Sequence, residues 1–116
     1  MPIAIKRVYD EPAPEDGVRI LVDRLWPRGL SKEKARVNLW ARDVAPSNEL
    51  RKWYGHEAGR WEEFKRRYFA ELAAAEDALE PVLDRVREGH VTFVYSSRET
   101  ELNNAVALRE YVEERL

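Results

Sequence analysis

Val91-Thr-Phe-Val-Tyr95 is the stretch that decides the fold. It is apolar on both faces, and a strand with no polar face is covered on both sides, as in the middle of a parallel sheet. A polar loop, Ser96–Glu101, follows at once, and then an amphipathic run from Asn103 to Arg115 with Leu102, Ala105, Val106, Leu108 and Val112 on one side. Strand, loop and helix in that order predict one unit of an α/β domain.

Upstream the same grammar recurs. Ile3, Ile5 and Arg7 alternate with Ala4, Lys6 and Val8 as a short strand. The turn-rich connector 10–17 leads to a second strand, Val18-Arg-Ile-Leu-Val22. Ser31 is placed to cap a short helical turn through Arg36, with a brief extended piece at Val37–Ala41 after it. Ser47 is placed to cap a helix reaching about His56, with Glu49 in its first turn. Trp61, Phe64, Tyr68, Leu72, Ala75, Leu79, Val82, Leu83 and Val86 then recur at helical spacing. Pro81 predicts a kink or division of that helix near Asp77–Pro81, and Gly89 its end. The expectation is an α/β fold: a small layered sandwich with a short, mainly parallel sheet flanked by helices, residues 1–116 forming one domain.

Composition narrows the function classes. The chain has 116 residues, a formal net charge of -2, 36% charged residues and no cysteine. Disulfides, thiol catalysis and cysteine-ligated metals are therefore excluded. The two histidines lack the H-x-x-x-H spacing of a zinc site, and no Walker loop or dinucleotide fingerprint is present, so neither metal nor cofactor is expected. The first residues carry no apolar core of a signal peptide, and no run nears the ~20 apolar residues of a membrane span. These readings predict a cytoplasmic protein with no membrane partner. Charge is uneven, however. Residues 17–36 hold six basic side chains against two acidic ones, and residues 71–88 hold six acidic against two basic. The simplest consequence is ion pairing between the two segments.

Three segments carry residues suited to chemistry. In Asp23-Arg-Leu-Trp-Pro-Arg-Gly-Leu30, Pro27 holds Trp26 extended and Gly29 allows a tight turn beside Arg28. Arginines on a rigid loop suit bidentate contact with an oxyanion, and Asp23 is expected to pair with Arg24 as an orienting partner. In Ala45–His56, Arg51, Lys52 and His56 follow at helical spacing beside Trp53 and Tyr54, and His56 is the candidate general acid or base. In Ser96–Asn104, hydroxyls, a guanidinium and amides stand where a strand meets the next helix. Each also has a structural reading: Ser97 or Asn103 as a helix cap, Arg98 as a solvated charge, His56 as a cap or surface residue, Trp26 as a core plug, and Arg24 and Arg28 bonded internally.

Taken in order, "Lys-Arg-Val-Tyr-Asp", "Gly-Val-Arg-Ile-Leu-Val-Asp-Arg-Leu-Trp-Pro-Arg-Gly", "Ala-Pro-Ser-Asn-Glu-Leu-Arg-Lys-Trp-Tyr-Gly-His" and "Tyr-Ser-Ser-Arg-Glu…Asn-Asn-Ala-Val-Ala-Leu" resemble the YeaO-like branch of the bacterial domain-of-unknown-function family 488. The resemblance covers essentially the whole chain and implies a bacterial α/β protein, without assigning catalytic residues. The family pattern has Asp where this chain has Glu99 and often alanine at Ser96 or Ser97, which weakens any serine nucleophile.

The leading expectation is a site for a small phosphate- or carboxylate-bearing molecule. It is built from Arg24, Arg28, Arg51, His56, Arg98 and Asn104 and walled by Trp26 and Trp53, with hydrolase or transferase as its enzymatic forms. One alternative is a nucleic-acid-binding or regulatory module stacking bases on Trp26 and Trp40. Another is a structural or partner-binding protein with an aromatic interface.

Overall fold

The computed structural model describes residues 3–116. Val91–Tyr95 (β4) is buried at every position and lies inside a four-stranded sheet of order β1-β4-β2-β3, with β1 at Ala4–Arg7, β2 at Val18–Leu21 and β3 at Leu39–Trp40. Every pairing is parallel. In register, β4 sets Phe93 beside Ile5 on one flank and Ile20 on the other.

The two faces are covered unequally. Val91, Phe93 and Tyr95, with Ile20 and Val22, join the larger core. Four helices supply most of the rest of it, with Ile3, Ala41 and Val44: Asn48–Tyr54 (α2), Trp61–Ala73 (α3), Glu76–Glu88 (α4) and Asn104–Glu113 (α5). The opposite face carries a smaller cluster of Val8, Leu21, Val94 and Ala35, the last from the single-turn helix Lys32–Ala35 (α1). Trp26, Leu30, Val37 and Trp40 pack around it. On α5 the buried positions include Ala107 and Tyr111, while Val106, and Leu102 before the helix, are only half-buried.

Serine and asparagine caps start the helices as the sequence predicts. Ser31, Ser47 and Asn103 each accept a backbone N–H through the side chain, from Lys34, Leu50 and Val106. Each satisfies one of the donors that a helix start leaves without an intrahelical partner.

The long apolar periodicity divides earlier than Pro81 predicts. The break is at Ala74–Ala75. There the Ala74 N–H is shared between the carbonyls of Ala70 and Glu71, and the Ala75 N–H bonds the Leu72 carbonyl. These shorter bonds tighten the end of α3, and Ala75 (φ -121, ψ 39) leaves helical geometry. Pro81 sits inside α4. It forfeits only the ladder bond to Asp77, while Leu79, Val82, Leu83 and Val86 keep the helix on the core. Gly89 follows the helix with extended backbone (φ 172) rather than a left-handed turn.

The expected pairing between the basic and acidic segments is not made. Arg19 bonds Asp16 at 2.7 Å, and Glu80 and Asp84 pair with Arg87 of their own helix. Among the described residues no ion pair joins 17–36 to 71–88. Local partners within reach of short linkers outcompete distant ones that would have to cross the sheet.

The connector 10–17 is anchored at its end. Gly17 has φ +63, and a Cβ there would lie 2.3 Å from the His90 carbonyl oxygen, so this position is restricted to glycine. The Val18 N–H bonds that same carbonyl, and Thr92 Oγ1 donates to the Asp16 carbonyl. Asp16 also accepts from Lys6, Arg19 and the Ala13 amide.

Candidate functional site

Parallel strands direct their carboxyl ends the same way, and ligands of such sheets collect there. The segments that leave β1, β2 and β4 here border one cleft of about 500 Å³. Tyr9 follows β1, Asp23–Arg28 follow β2, and Ser96 and Ser97 follow β4. Arg51, Lys52, Tyr54 and His56 supply the facing wall from α2 and its end, and Asn104 comes from the first turn of α5.

Of the residues named from the sequence, Arg24, Trp26, Arg28, Arg51, His56 and Asn104 border this cleft. Trp53 and Arg98 do not. Trp53 faces α3 and the turn before it, where Arg67 and Arg60 lie 4.3 Å and 5.3 Å from its ring centroid. It sits on the opposite side of the α2 helix from the cleft lining, so its neighbour Tyr54 reaches the cleft instead. Arg98 is exposed on the loop after β4, the solvated charge of its structural reading.

The expected Asp23–Arg24 pair is replaced by two separate clamps. Asp23 accepts from the Ser96 amide at 2.8 Å, the Ser96 hydroxyl at 2.7 Å and the Asn104 side-chain amide at 3.1 Å. Three donors preset toward one carboxylate satisfy it better than a guanidinium that would also have to leave its own partners. Arg24 donates to the carbonyls of Ala45 and Pro46, fastening the chain before α2. Arg7, which the sequence reading passed over, does the same for the loop after β4, donating to the carbonyls of Ser97 and Ser96 at 2.8 Å and 2.9 Å. Its place at the very end of β1 is the signal that marks it.

The electrostatic balance of the cleft is lopsided. Four permanent cations border it, Arg24, Arg28, Arg51 and Lys52, against the single carboxylate of Asp23. None of the four belongs to an ion pair among the described residues. Arg28 and Lys52 are exposed, and Arg51 reaches only the Asn48 side chain. Lys52 shares a helix turn with Arg51, and that adjacency is what ties it to the cleft.

His56 has φ +56, directly after Gly55 at +52. Two successive left-handed residues turn the chain away from α2 and leave the imidazole at the cleft margin, where its ring tilts against Tyr54 at 5.5 Å between centroids. No hydrogen bond orients that imidazole among the described residues. Glu99, missed from the sequence, faces it electrostatically. The amides of Glu101 and Leu102, first of all, hold the Glu99 carboxyl below its usual range, and His56 adds to the effect. Tyr54 and Tyr68 are neutral donors: burial pushes both phenols up, and they bond the carbonyls of Leu102 and Val44.

Gly29 (φ +76) makes the turn that carries Arg28 outward. Trp26 bonds the Leu30 carbonyl through its indole N–H and meets Trp40 edge to face, with centroids 5.4 Å apart. Among the described residues no helix is long and apolar enough to cross a membrane.

Fold and cleft together define a small parallel α/β protein with a cationic, aromatic-walled cleft at the carboxyl ends of its strands. Residues 2–116 match the family described as the inactive DUF488-N3 subclade, and the chain belongs to that family. It is 39% identical to the uncharacterized protein YeaO of Escherichia coli over 97% of both chains. It is 51% identical to the uncharacterized protein Rv3073c of Mycobacterium tuberculosis over 60% of this chain and 59% of that one. An uncharacterized protein of Mycobacterium bovis matches over the same shares. The match therefore spans about 59% of the length of the mycobacterial relatives. No solved structure matches the chain.

Proposed function

We propose that this protein is a cytoplasmic binding domain for a small anionic ligand, phosphate- or carboxylate-bearing, which it holds in the cleft without turning it over. The observation that carries the reading is the charge balance: four cations without carboxylate partners border one carboxylate that three donors already occupy. Cations near the end of α2 are also favoured by the helix dipole and Arg24 is held by the carbonyls of Ala45 and Pro46, but neither accounts for the exposed Arg28 on the opposite wall. Binding rather than catalysis is supported by the family's description as an inactive subclade.

Thermal unfolding with inorganic phosphate and pyrophosphate tests this. A ligand at 100 times its Kd stabilises by about 2.7 kcal/mol, a rise of about 10 °C for a domain of this size. The rise is expected for the wild type and lost in the Arg51→Ala/Lys52→Ala double variant. Phosphate also stabilises proteins through exclusion from their surface, so an equal rise in wild type and variant refutes the site.

A further inference from the structure

Only three large apolar side chains among the described residues stand well into solvent: Tyr9 at 41%, Leu25 at 64% and Leu116 at 51% exposure. Leu116 does not border the cleft. The other two border the same cleft as Arg51 and Lys52, next to Trp26 and Pro27. A single exposed leucine needs no explanation, but exposed apolar groups gathered at a cleft mark a contact surface.

That wall is fixed in place before any ligand arrives. The Tyr9 hydroxyl donates to the Arg28 carbonyl at 2.8 Å, and the Arg7 guanidinium lies 5.1 Å from the ring centroid. The Trp26 indole is held by its bond to Leu30 and by its edge contact with Trp40. Pinned aromatic rings lose little conformational freedom on binding and present flat faces or edges to a partner. The size of the cleft points the same way. About 500 Å³ lies within the range of small-molecule sites, whereas a water molecule takes ~30 Å³ and an inorganic oxyanion would leave most of the space to solvent.

We infer that the ligand carries its anionic group on a flat aromatic body, and that a nucleoside monophosphate has the matching form. Its phosphate lies toward Arg28, Arg51 and Lys52, and its base lies against Tyr9, Leu25 and Trp26. The inference rests on the anion-binding reading above and adds the chemistry of the ligand's other end.

Calorimetric titration of the full chain at low salt with AMP, ribose 5-phosphate and inorganic phosphate tests it. A base laid on an aromatic wall strengthens binding by about 5- to 150-fold, so AMP is expected to bind tighter than ribose 5-phosphate by at least the lower figure. Leu25→Ser, at an exposed position that leaves the melting temperature unchanged, is expected to reduce that preference while ribose 5-phosphate binds as before. Equal affinities for AMP and ribose 5-phosphate, both weakened by Arg51→Ala/Lys52→Ala, would overturn the aromatic end and leave the anion site standing. A preference for AMP that Leu25→Ser leaves intact overturns the assigned wall. Absence of heat from all three compounds overturns both readings together.

Discussion

The side-chain amide of Asn104 donates to Asp23 Oδ1 at 3.1 Å and to the Val22 carbonyl at 2.9 Å, so the first turn of α5 is fastened to the end of β2. Ser96 completes the arrangement from β4 with its amide and hydroxyl on Asp23 Oδ2. One carboxylate thereby holds three elements at the floor of the cleft.

Asp23→Ala leaves the Ser96 amide and one N–H of Asn104 without acceptors in a half-buried place. Each unsatisfied group costs about 1–3 kcal/mol when water cannot reach it, and partial access here favours the lower end. A loss of roughly 2 kcal/mol is expected. Urea unfolding should show it as a lower midpoint at unchanged slope. A midpoint equal to that of the wild type would show that water replaces the carboxylate.

Gly17 and Gly59 offer a contrast between two glycines. At Gly17 an added Cβ meets the His90 carbonyl in a left-handed residue. Backbone strain of about 1 kcal/mol or more adds to a clash that the sheet must relieve by moving. Gly17→Ala is expected to cost over ~2 kcal/mol. At Gly59 nothing lies within 4 Å of the same atom and the backbone is not left-handed. Gly59→Ala should be neutral or stabilising by up to ~1 kcal/mol, because it restricts the unfolded chain. Melting temperatures of the two variants check the difference in sign.

Asp16 makes stability depend on acid. Burial favours its neutral form, but the Ala13 amide, Arg19 and Lys6 together outweigh burial and hold its pKa below the ordinary value. A depressed carboxylate contributes stability that is present above the unfolded pKa, about 3.9, and is lost as pH falls through the folded one. Wild type is therefore expected to be more stable than Asp16→Asn by a constant margin above about pH 5, a margin that shrinks below about pH 4. Chemical unfolding of both proteins across pH 2.5 to 7, roughly the span over which an aspartate titrates, reads this directly. A margin that widened toward acid would refute it.

The fold was legible because its strongest signals are local. Val91–Tyr95 is apolar on both faces, which only a covered central strand accommodates, and the caps at Ser31, Ser47 and Asn103 are side-chain chemistry within three residues. The break before α4 was not legible, since three alanines at 73–75 carry no stop signal and the proline that does lies inside the helix. The cleft was half legible. Rare residue types marked its three segments, but which side of α2 faces it is settled by packing, where Tyr54 and Trp53 exchange the roles their adjacency suggests. Tyr9 was hidden because a residue after an edge strand gains meaning only when the strand order is known. The partner of Asp23 was misread for a related reason: Arg24 is adjacent in sequence, whereas Ser96 comes alongside only through the β2–β4 pairing.

The entry to α2 is tied to α3 through a single side chain, and that tie is measurable. The Ser47 amide and hydroxyl donate to the Glu71 carboxylate at 2.8 Å and 2.7 Å, while the same hydroxyl accepts from the Leu50 amide at 3.1 Å. Ser47→Ala removes both the cap and one bond to Glu71, and a cost of about 1–2 kcal/mol is expected. Glu71→Ala removes both of its bonds to Ser47 and is expected to cost a similar amount, about 1–2 kcal/mol. The hydroxyl–carboxylate bond is lost in either variant, so the double variant should fall short of the sum by about 1 kcal/mol, within the range of contacting pairs. Because α2 carries Arg51 and Lys52 to the cleft, the same double variant should weaken phosphate binding without touching a lining residue. Additive costs in the cycle would show that the two side chains act independently, and would remove the reason to expect any effect on the cleft.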